Sequence, residues 1–442
     1  MNPDYSHSKS EASGGIPGYF EKIRLFSYNA RLYLLHVIGM DLIHGTWEVI
    51  FNLYLLELGF SIEFIGLRIA ITGIAGATAS IPMGWLSDRI GRKAGFILGD
   101  GGGALMSLIQ ILSINPAVLL VSPAIGALFG ALHNVTEPAF MAENSQKEER
   151  VHLFSVSDGL RTLSAMLGSL AAGFLPLWIA IQFDIDKVVA YRYATFIGIA
   201  WWFLSLIPAL LLRQQVAEKI RTTHAVDNHK SIWKRAFPNL KNPKLIGKFL
   251  LVNALISLGA GFVVPLFNVF FHEGVHADEN EIGMLFAAGS LFLAFGAFAM
   301  PFFVGRFGKV KTVTITRLAA VPFVVLIGFA PSLADTSNVL SIAGLAYILR
   351  TTFFNMSYPV ADAFTMELLD PRERATATGL QATAGRIAMA GAGFLGALLM
   401  SAGNYQTRFF LMAFFYLMST LIFWRIFRSW EDRKLTEPQA QI

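Results

Sequence analysis

The chain has 442 residues, of which 54% are hydrophobic and 15% charged, and its formal net charge is +5. Soluble domains carry about 25% charged residues, so this composition excludes a water-soluble globular protein of the same length. The absence of cysteine excludes disulfides, thiolate nucleophiles and cysteine metal sites. Residues 1–30 begin with a polar stretch without the apolar core of a signal peptide, which predicts a cytoplasmic N-terminal tail.

Twelve apolar stretches follow, each long enough to cross a bilayer, which takes about 20 residues. They lie near 31–57, 62–86, 93–113, 116–141, 153–180, 188–212, 246–271, 281–304, 311–331, 338–366, 375–401 and 405–428. A polar segment separates the sixth stretch from the seventh. The sequence therefore predicts an all-α integral membrane protein with a six-helix bundle over 31–212, a cytoplasmic linker over 213–245, a second six-helix bundle over 246–428 and a cytoplasmic tail over 429–442.

Lysine and arginine are distributed unevenly among the predicted loops. If the N-terminus lies inside, the inside connections hold most of the basic residues, whereas the outside connections hold only Lys187, Arg192 and Arg408. This asymmetry is the positive-inside rule. It predicts a multi-pass protein of the inner cell membrane with both termini in the cytoplasm, and it explains the net charge without a nucleic-acid partner.

The two halves of the chain resemble each other. The segment FNLYLLELGFSIEFIG, which ends at Gly66, matches FNVFFHEGVHADENEIG, which ends at Gly283. A second match pairs four residues of the first half with four of the second: Phe140, Glu143, Glu149 and Arg150 with Phe364, Glu367, Glu373 and Arg374. Two matches in the same order indicate a duplicated six-helix unit.

The turn between the second and third stretches reads GWLSDRIGRK and concentrates charge and glycine between two apolar helices. It fits the pattern G-x-L-x-D-R-x-G-R-K at Gly84, Leu86, Asp88, Arg89, Gly91, Arg92 and Lys93. With twelve helices in two halves, this motif resembles the major facilitator superfamily over roughly residues 30–430. The resemblance implies a transporter whose halves rock about a central site and a turn that acts as a gate. Asp88 would bond helix N-termini or cations of the other bundle, and Gly305 replaces it in the second copy.

The first helix carries a polar stripe. Asp41, His44, Glu48 and Asn52 fall within an arc of roughly 80° at about 100° per residue. Such a stripe predicts a water-filled cavity, with burial against other helices as the structural alternative. Ionisable residues inside membrane helices are functional candidates, so we expect Asp41 and Glu48 to carry the coupling proton. Glu137, in the fourth helix, is a further proton site or gate.

Charged residues in other helices suggest further roles. Arg350 and Arg386 lie halfway along the tenth and eleventh helices and, with His44 and Asn52, are predicted to line a substrate cavity. Asp158 and Arg161 stand three residues apart on the fifth helix, a spacing that favours a structural charge pair.

Two further motifs are set aside. HEGVH, from His272 to His276, matches a zinc-protease pattern, but a glycine interrupts it beside an acidic loop. GDGGG, from Gly99 to Gly103, lacks the Lys-Ser/Thr of a phosphate-binding loop, and its small residues favour close helix packing. We therefore expect no metal, no cofactor, no ATP site and no enzymatic activity.

The sequence predicts a proton-coupled secondary active transporter that works by alternating access. The drug-antiporter element G-P-x-x-G-G and the sugar-porter and peptide-transporter signatures PESPR and ExxERFxYY are missing, while embedded acids and 38 phenylalanines suit export of apolar or amphipathic solutes. Proton-driven uptake of an organic anion, lipid or lysolipid flipping and, remotely, intramembrane proteolysis remain alternatives. The expected partners are a small molecule, protons and the lipid bilayer, and the expected state is a monomer.

Overall fold

The computed structural model describes residues 23–213, 241–333, 338–370 and 373–436, which contain twelve helices long and apolar enough to cross a membrane. These are α1 (Tyr28–Glu57), α2 (Ile62–Ile90), α3 (Arg92–Leu112), α4 (Pro116–Glu143), α5 (Lys147–Phe183), α6 (Lys187–Leu211), α7 (Pro243–Gly261, continued irregularly to Gly274), α8 (Glu279–Phe307), α9 (Lys309–Phe329), α10 (Val339–Asn355 and Tyr358–Leu368), α11 (Arg374–Ser401) and α12 (Tyr405–Thr436). Within these ranges there is no strand. Three parts of the predicted tails and linker lie outside the described residues, namely 1–22, 214–240 and 437–442.

Short polar signals start the helices. The side chains that cap helix N-termini by accepting backbone N–H bonds include Ser27, Ser61, Asn115 and Asp186. Gly91 and Gly308 end α2 and α8 with φ values of 84° and 80°, in the left-handed region that glycine adopts without a steric penalty. The chain can therefore reverse at once into α3 and α9.

Among the described helices, α7 and α10 are interrupted, and a buried arginine donates a hydrogen bond to a polar group at each break. In α10 the helix breaks at Met356 and Ser357, and the Arg317 Nε of α9 donates to the Ser357 hydroxyl at 2.9 Å. In α7 the regular helix ends at Gly261, and the Arg408 Nε of α12 donates to the carbonyl of Phe262 at 3.0 Å. These contacts supply partners for polar groups that a break would leave unpaired within a membrane.

The helices form two bundles of equivalent design, which confirms the predicted fold class. In the first bundle α1 packs against α5 and α6, and α4 against α2 and α3; in the second, α12 packs against α7 and α9. Arg92 of α3 bonds Glu143 of α4 at 2.9 Å, and Lys309 of α9 bonds Glu367 of α10 in the same way. The second sequence match therefore marks equivalent ion pairs in the two bundles.

The bundles touch at one side of the membrane and separate at the other. We call the side where α1 begins and α12 ends the near side, and the opposite side the far side. On the far side a Cβ added to Gly66 of α2 would lie 2.3 Å from the Cβ of Ala397 of α11. Gly84 and Gly379 stand 18 residues away on the same faces, since 18 residues are five turns of about 3.6, yet a Cβ there would meet nothing within 4 Å. The space between α2 and α11 therefore opens toward the near side.

Candidate functional site

A cavity of about 370 Å³ lies among helices of the first bundle. Its walls combine apolar groups, among them Met40, Ile43, Trp47 and Trp202, with the ionisable side chains of Asp41, His44, Asp100, His133 and Arg161. Glycines of α3 and α4 also line it, and their missing side chains leave part of the volume free. The site can accept an apolar body beside a polar or charged group.

Arg161 of α5 joins three helices at the edge of this cavity. Its guanidinium lies 2.6 Å from the Glu137 carboxylate of α4 and donates to the Tyr33 hydroxyl of α1 at 3.2 Å. The Asp41 carboxylate of α1 lies 3.7 Å from the Arg161 Nε. One cation thus faces two carboxylates, because α5 carries it into the space between α1 and α4.

The predicted pair between Asp158 and Arg161 is wrong. Among the described side chains, the ion pairs of Arg161 go to Glu137 and Asp41, while Asp158 is exposed and forms no ion pair. Sequence spacing placed the two on one helix face, but Glu137 is more deeply buried and more in need of a countercharge. Arg161 therefore interacts with Asp158 only electrostatically, without an ion pair.

A second buried cluster escaped the sequence analysis. Asp100 of α3 accepts from the His36 Nε2 of α1 and the His133 Nδ1 of α4, both at 2.9 Å. The three residues are 2%, 0% and 4% exposed. Two signals pointed to the cluster, namely an acid within the glycine stretch GDGGG and a histidine four residues before Glu137. Neither signal reveals that His36, 64 residues before Asp100, completes it.

The small residues of GDGGG do pack closely, as predicted. A Cβ on Gly99 would lie 3.1 Å from the backbone nitrogen of His133, and one on Gly103 would lie 2.8 Å from the Trp202 ring. The glycines therefore bring α3 against α4 and α6. They also carry Asp100 into the space between α1 and α4.

The α1 stripe divides between the cavity and the contact of the two bundles. Asp41 and His44 line the cavity. Glu48 is accessible and interacts electrostatically with His44 and with Tyr347 of α10, yet it has no hydrogen bond or ion pair to the described residues. Glu48 of the first bundle thus lies near a residue of the second bundle.

Asn52 does not line the described cavity, which corrects the prediction for this residue. Its side-chain amide donates to the Asn268 carbonyl oxygen of α7 at 3.2 Å and to the Pro265 carbonyl at 3.1 Å. Asn268 in turn donates to the Val49 carbonyl at 2.9 Å. Each asparagine is the second residue of one of the two matching segments, directly after a phenylalanine. Equivalent positions of the two halves therefore contact each other where the bundles join.

Charged residues strengthen the far-side contact. Lys187 of α6 lies 2.8 Å from Glu57 of α1 and 2.7 Å from Glu279 of α8. The Tyr191 hydroxyl also donates to Glu279 at 2.6 Å. Backbone approach is close beside it, because a Cβ on Gly173 of α5 would lie 2.9 Å from the Glu279 carbonyl oxygen. The far side is therefore sealed by packing and by ion pairs together.

The two predicted cavity arginines lie elsewhere. Arg350 is 3% exposed and donates to the Tyr416 hydroxyl of α12 at 2.6 Å, with its guanidinium over the Phe267 ring. Arg386 of α11 is half-buried and donates to the Gly76 carbonyl of α2 at 3.4 Å. Neither residue lines the described cavity, because Arg350 packs inside the second bundle and Arg386 lies at the contact between the bundles.

The glycine-rich turn between α2 and α3 is held within its own bundle. Arg92 bonds Asp88 at 2.7 Å as well as Glu143, and Arg89 stacks over the Trp85 ring at 3.9 Å. The Asp88 side chain is 71% exposed. The expected bond from Asp88 to the other bundle is not formed in this structure, because the near side is open and that bundle is distant.

The motif HEGVH does not assemble a zinc-protease site. His272 lies in a π-helical turn over Phe270–Gly274, whereas His276 follows the helix with a φ of 58°. The His272 Nε2 lies 3.9 Å from Glu273. Because the two histidines do not share one regular helical face, the metalloprotease alternative loses its structural basis.

Two six-helix bundles that meet on the far side, with a cavity among the helices of the first bundle, define a multi-pass membrane protein of the transporter class. The family model of the major facilitator superfamily matches residues 43–392 and 249–441. The chain belongs to the major facilitator superfamily, as its gating-type turn and internal repeat predict.

Individual relatives are distant. An uncharacterized membrane protein of Saccharomyces cerevisiae is 21% identical over 344 residues, which are 71% of this chain and 76% of that protein. The multidrug resistance protein MdtH of Yersinia enterocolitica is 25% identical over 157 residues, or 35% of this chain and 37% of its own. The crystal structure of the nucleoside transporter NupG matches with a TM-score of 0.66 at 16% identity, covering 91% of this chain and 99% of that one. That likeness establishes the fold.

Proposed function

We propose that the protein is a proton-coupled secondary active transporter that exports small apolar or amphipathic organic solutes by alternating access. The observation that carries the proposal is the cavity, in which the Trp47 and Trp202 rings face Asp41 and Arg161. A bilayer-crossing transporter needs such a site between two faces that open in turn. The near side is open in this structure and the far side is sealed.

The chemistry of the cavity supports an amphipathic solute. Indole rings and aliphatic groups offer dispersion contacts to an apolar body, while His44 and Asp41 offer hydrogen bonds to a polar end. The charge of Arg161 is already balanced by Glu137 and Asp41. The cavity therefore does not need an anionic substrate to neutralise it.

Glu48 is our candidate for the coupling proton, with Asp41 assisting. Ionisable residues inside membrane helices are functional candidates, and Glu48 has no ion-pair partner among the described residues. It lies between the bundles, so its hydration changes whenever they rock. Glu137 is a weaker candidate, because its carboxylate is already paired with Arg161 at 2.6 Å.

The direction of transport rests on the topology and on one relative. If both termini are cytoplasmic, as the basic loops predict, the open near side faces the cytoplasm, where an exporter collects its solute. The similarity to a multidrug resistance protein, although it covers 37% of that protein, also favours export. We place the transporter in the inner cell membrane as a monomer.

Uptake of an organic anion is less well supported. That alternative needs Arg350 and Arg386 as carboxylate clamps, yet Arg350 bonds Tyr416 and Arg386 bonds the backbone of α2. Lipid flipping would require a lateral opening of the cavity toward the bilayer. The described cavity, lined by α1, α3, α4, α5 and α6, gives no specific observation in its favour.

The proposal is tested in proteoliposomes with an imposed pH gradient and a panel of amphipathic solutes. The wild-type protein should accumulate a solute against its gradient in response to pH. Glu48→Gln should retain exchange at equal pH and lose pH-driven accumulation, because exchange needs the cavity but no proton. Glu63→Gln, a carboxylate at the far end of α2, is the matched control and should accumulate solute normally.

Two results would contradict the assignment. Accumulation by both Glu48→Gln and Asp41→Asn would place the coupling site elsewhere. Accumulation of organic anions in preference to amphipathic solutes, together with inward transport along the proton gradient, would favour the uptake alternative.

A further inference from the structure

We propose that His36, Asp100 and His133 bind a divalent transition-metal ion inside the first bundle. The inference does not rest on the proposed proton coupling or gating, which use none of these three side chains, although Asp100 and His133 also line the proposed solute cavity. The His36 Nε2, the His133 Nδ1 and a carboxylate oxygen of Asp100 lie within 4.8 Å of one another. Two imidazoles and one carboxylate form a ligand set suited to Zn²⁺ and similar ions.

The distances need little adjustment to admit an ion. Each histidine nitrogen lies 2.9 Å from the Oδ2 of Asp100. Zinc binds nitrogen and oxygen at about 2.0–2.2 Å, so ligand atoms in a tetrahedral shell are about 3.3 Å apart. Each histidine nitrogen would move a few tenths of an ångström away from Oδ2, and the two histidine nitrogens, which lie within 4.8 Å of each other, would adopt a similar separation. Three protein ligands leave a fourth position for a water molecule.

The second ring nitrogen of each histidine faces an oxygen atom, of the kind that metal-binding histidines usually face. The His36 Nδ1 faces the Ser205 carbonyl at 2.7 Å, which can only accept, so this nitrogen carries the proton and leaves Nε2 to bind the ion. The His133 Nε2 lies 3.8 Å from the Glu137 carboxylate, which is too long for a hydrogen bond, and it has no hydrogen-bond partner among the described residues. Metal-binding histidines typically donate their second N–H to a carbonyl or a carboxylate, which fixes the ring orientation.

The same hydrogen bonds suggest why a cation belongs here. With Nδ1 of His36 protonated for Ser205, the bond from Nε2 to Asp100 needs a second proton shared between the ring and the carboxylate. His133 directs its own Nδ1 to the same Oδ2. A metal ion would replace both ring protons at that oxygen with one divalent charge.

The site has a route of entry. Asp100 and His133 line the cavity, whereas His36 lies behind them and is fully buried. His44 and Asp41, also on the cavity wall, offer transient ligands along the way. A bound ion would tie α1, α3 and α4 together at one point of the first bundle, beside the substrate cavity and not between the bundles.

The test measures metal binding directly, without transport. Purified full-length protein, freed of metal by a chelator, is titrated with Zn²⁺ and separately with Mg²⁺ by calorimetry in detergent. We expect one Zn²⁺ per chain and no comparable Mg²⁺ binding, since imidazole ligands favour Zn²⁺. His36→Gln, His133→Gln and Asp100→Asn should each weaken Zn²⁺ binding by more than the about 10–100-fold that losing an outer-shell partner costs. His276→Gln, at an exposed histidine in the far-side segment after α7, should bind Zn²⁺ normally.

A spectroscopic readout keeps the proposal testable if a variant fails to fold. X-ray absorption of the Zn²⁺-loaded wild-type protein should show imidazole scattering and nitrogen or oxygen ligands at about 2.0–2.2 Å. Absence of stoichiometric Zn²⁺ binding, or binding that survives in all three variants, would overturn the proposal and leave the cluster as a hydrogen-bonded group that stores a proton.

Discussion

Arg161 illustrates how a single side chain can stabilise several membrane helices. It neutralises Glu137, approaches Asp41 and bonds Tyr33, so its cation is shared by α1, α4 and α5. Removing one partner of a buried ion pair leaves an uncompensated charge, which costs more than the pair contributes. Arg161 therefore has a structural role as the countercharge of these carboxylates, whatever its role in transport.

We expect Arg161→Gln to lower the free energy of unfolding by about 3–5 kcal/mol, because Glu137 would remain buried without a countercharge. The double variant with Glu137→Gln should recover a large part of that loss. Asp158→Asn, an exposed carboxylate on the same helix, should change stability by less than about 0.5 kcal/mol. Chemical unfolding in detergent measures all three variants. Equal destabilisation by the single and the double variant would contradict the assigned pairing.

At the scale of helices, glycine decides where the two bundles meet. Gly173 of α5 and Gly283 of α8 approach so closely that a Cβ on either would lie within 3.0 Å of the other helix. Gly159, on the same helix α5 but toward the near side, would meet nothing within 4 Å. Small residues permit this backbone contact where it occurs, because membrane helices associate through close packing.

Gly173→Leu should weaken the far-side seal, since overpacking costs about 1–3 kcal/mol, a shift of about 5–150-fold between two states. A reporter cysteine at Ile69, which packs near Gly393 at the bundle contact, should then react faster with a thiol reagent. The chain has no native cysteine, so the label reports this position only. Gly159→Leu is the control and should leave the labelling rate unchanged. Equal rates in both variants would show that Gly173 does not control the seal.

We propose that the turn between α2 and α3 acts on the balance of states and not on solute binding. Asp88 lies at the near side, remote from the cavity, and bonds Arg92 of its own bundle while the near side is open. We propose that closure brings it to the other bundle, as its position in the turn predicts.

Asp88→Asn should therefore lower transport by about tenfold, which corresponds to about 1.4 kcal/mol, while solute affinity changes little. Turnover in proteoliposomes and equilibrium binding in detergent separate the two effects. Asp370→Asn, a near-side carboxylate that pairs with Lys241, should retain normal turnover. If affinity falls as much as turnover does, the gating role is wrong.

For the whole molecule, the separation of the bundles at the near side determines which compartment can reach the cavity. The chain itself does not state which compartment that is, so the assignment depends on the basic loops and the positive-inside rule. Export follows only if the near side is cytoplasmic.

Cysteine labelling in intact cells tests this orientation. A cysteine placed within 220–230 of the linker should react with an impermeant reagent only after the membrane is permeabilised. Asn404→Cys, in the exposed far-side turn between α11 and α12, should react from outside and serves as the positive control. The reverse pattern would invert the topology and, with it, the direction in which the open cavity faces.

The sequence by itself determined the helices, the repeat and the gating-type turn. These features are local: about 20 apolar residues specify a span, and glycine specifies the reversals at Gly91 and Gly308. The twelve helices, the two bundles and the family could therefore be predicted. So could the placement of Asp41 and His44 on the cavity side of α1, because residues three apart share a helix face.

Only the tertiary structure decided the partners of the buried polar groups. Arg161 was expected to pair within its helix, yet it bonds Glu137 on α4, and Arg350 was expected in the cavity, yet it bonds Tyr416, 66 residues away. The cluster of His36, Asp100 and His133 joins three helices, with separations of 64 and 33 residues from Asp100. Helical periodicity tells which face a side chain occupies but not which helix lies opposite, because that depends on how the whole bundle packs.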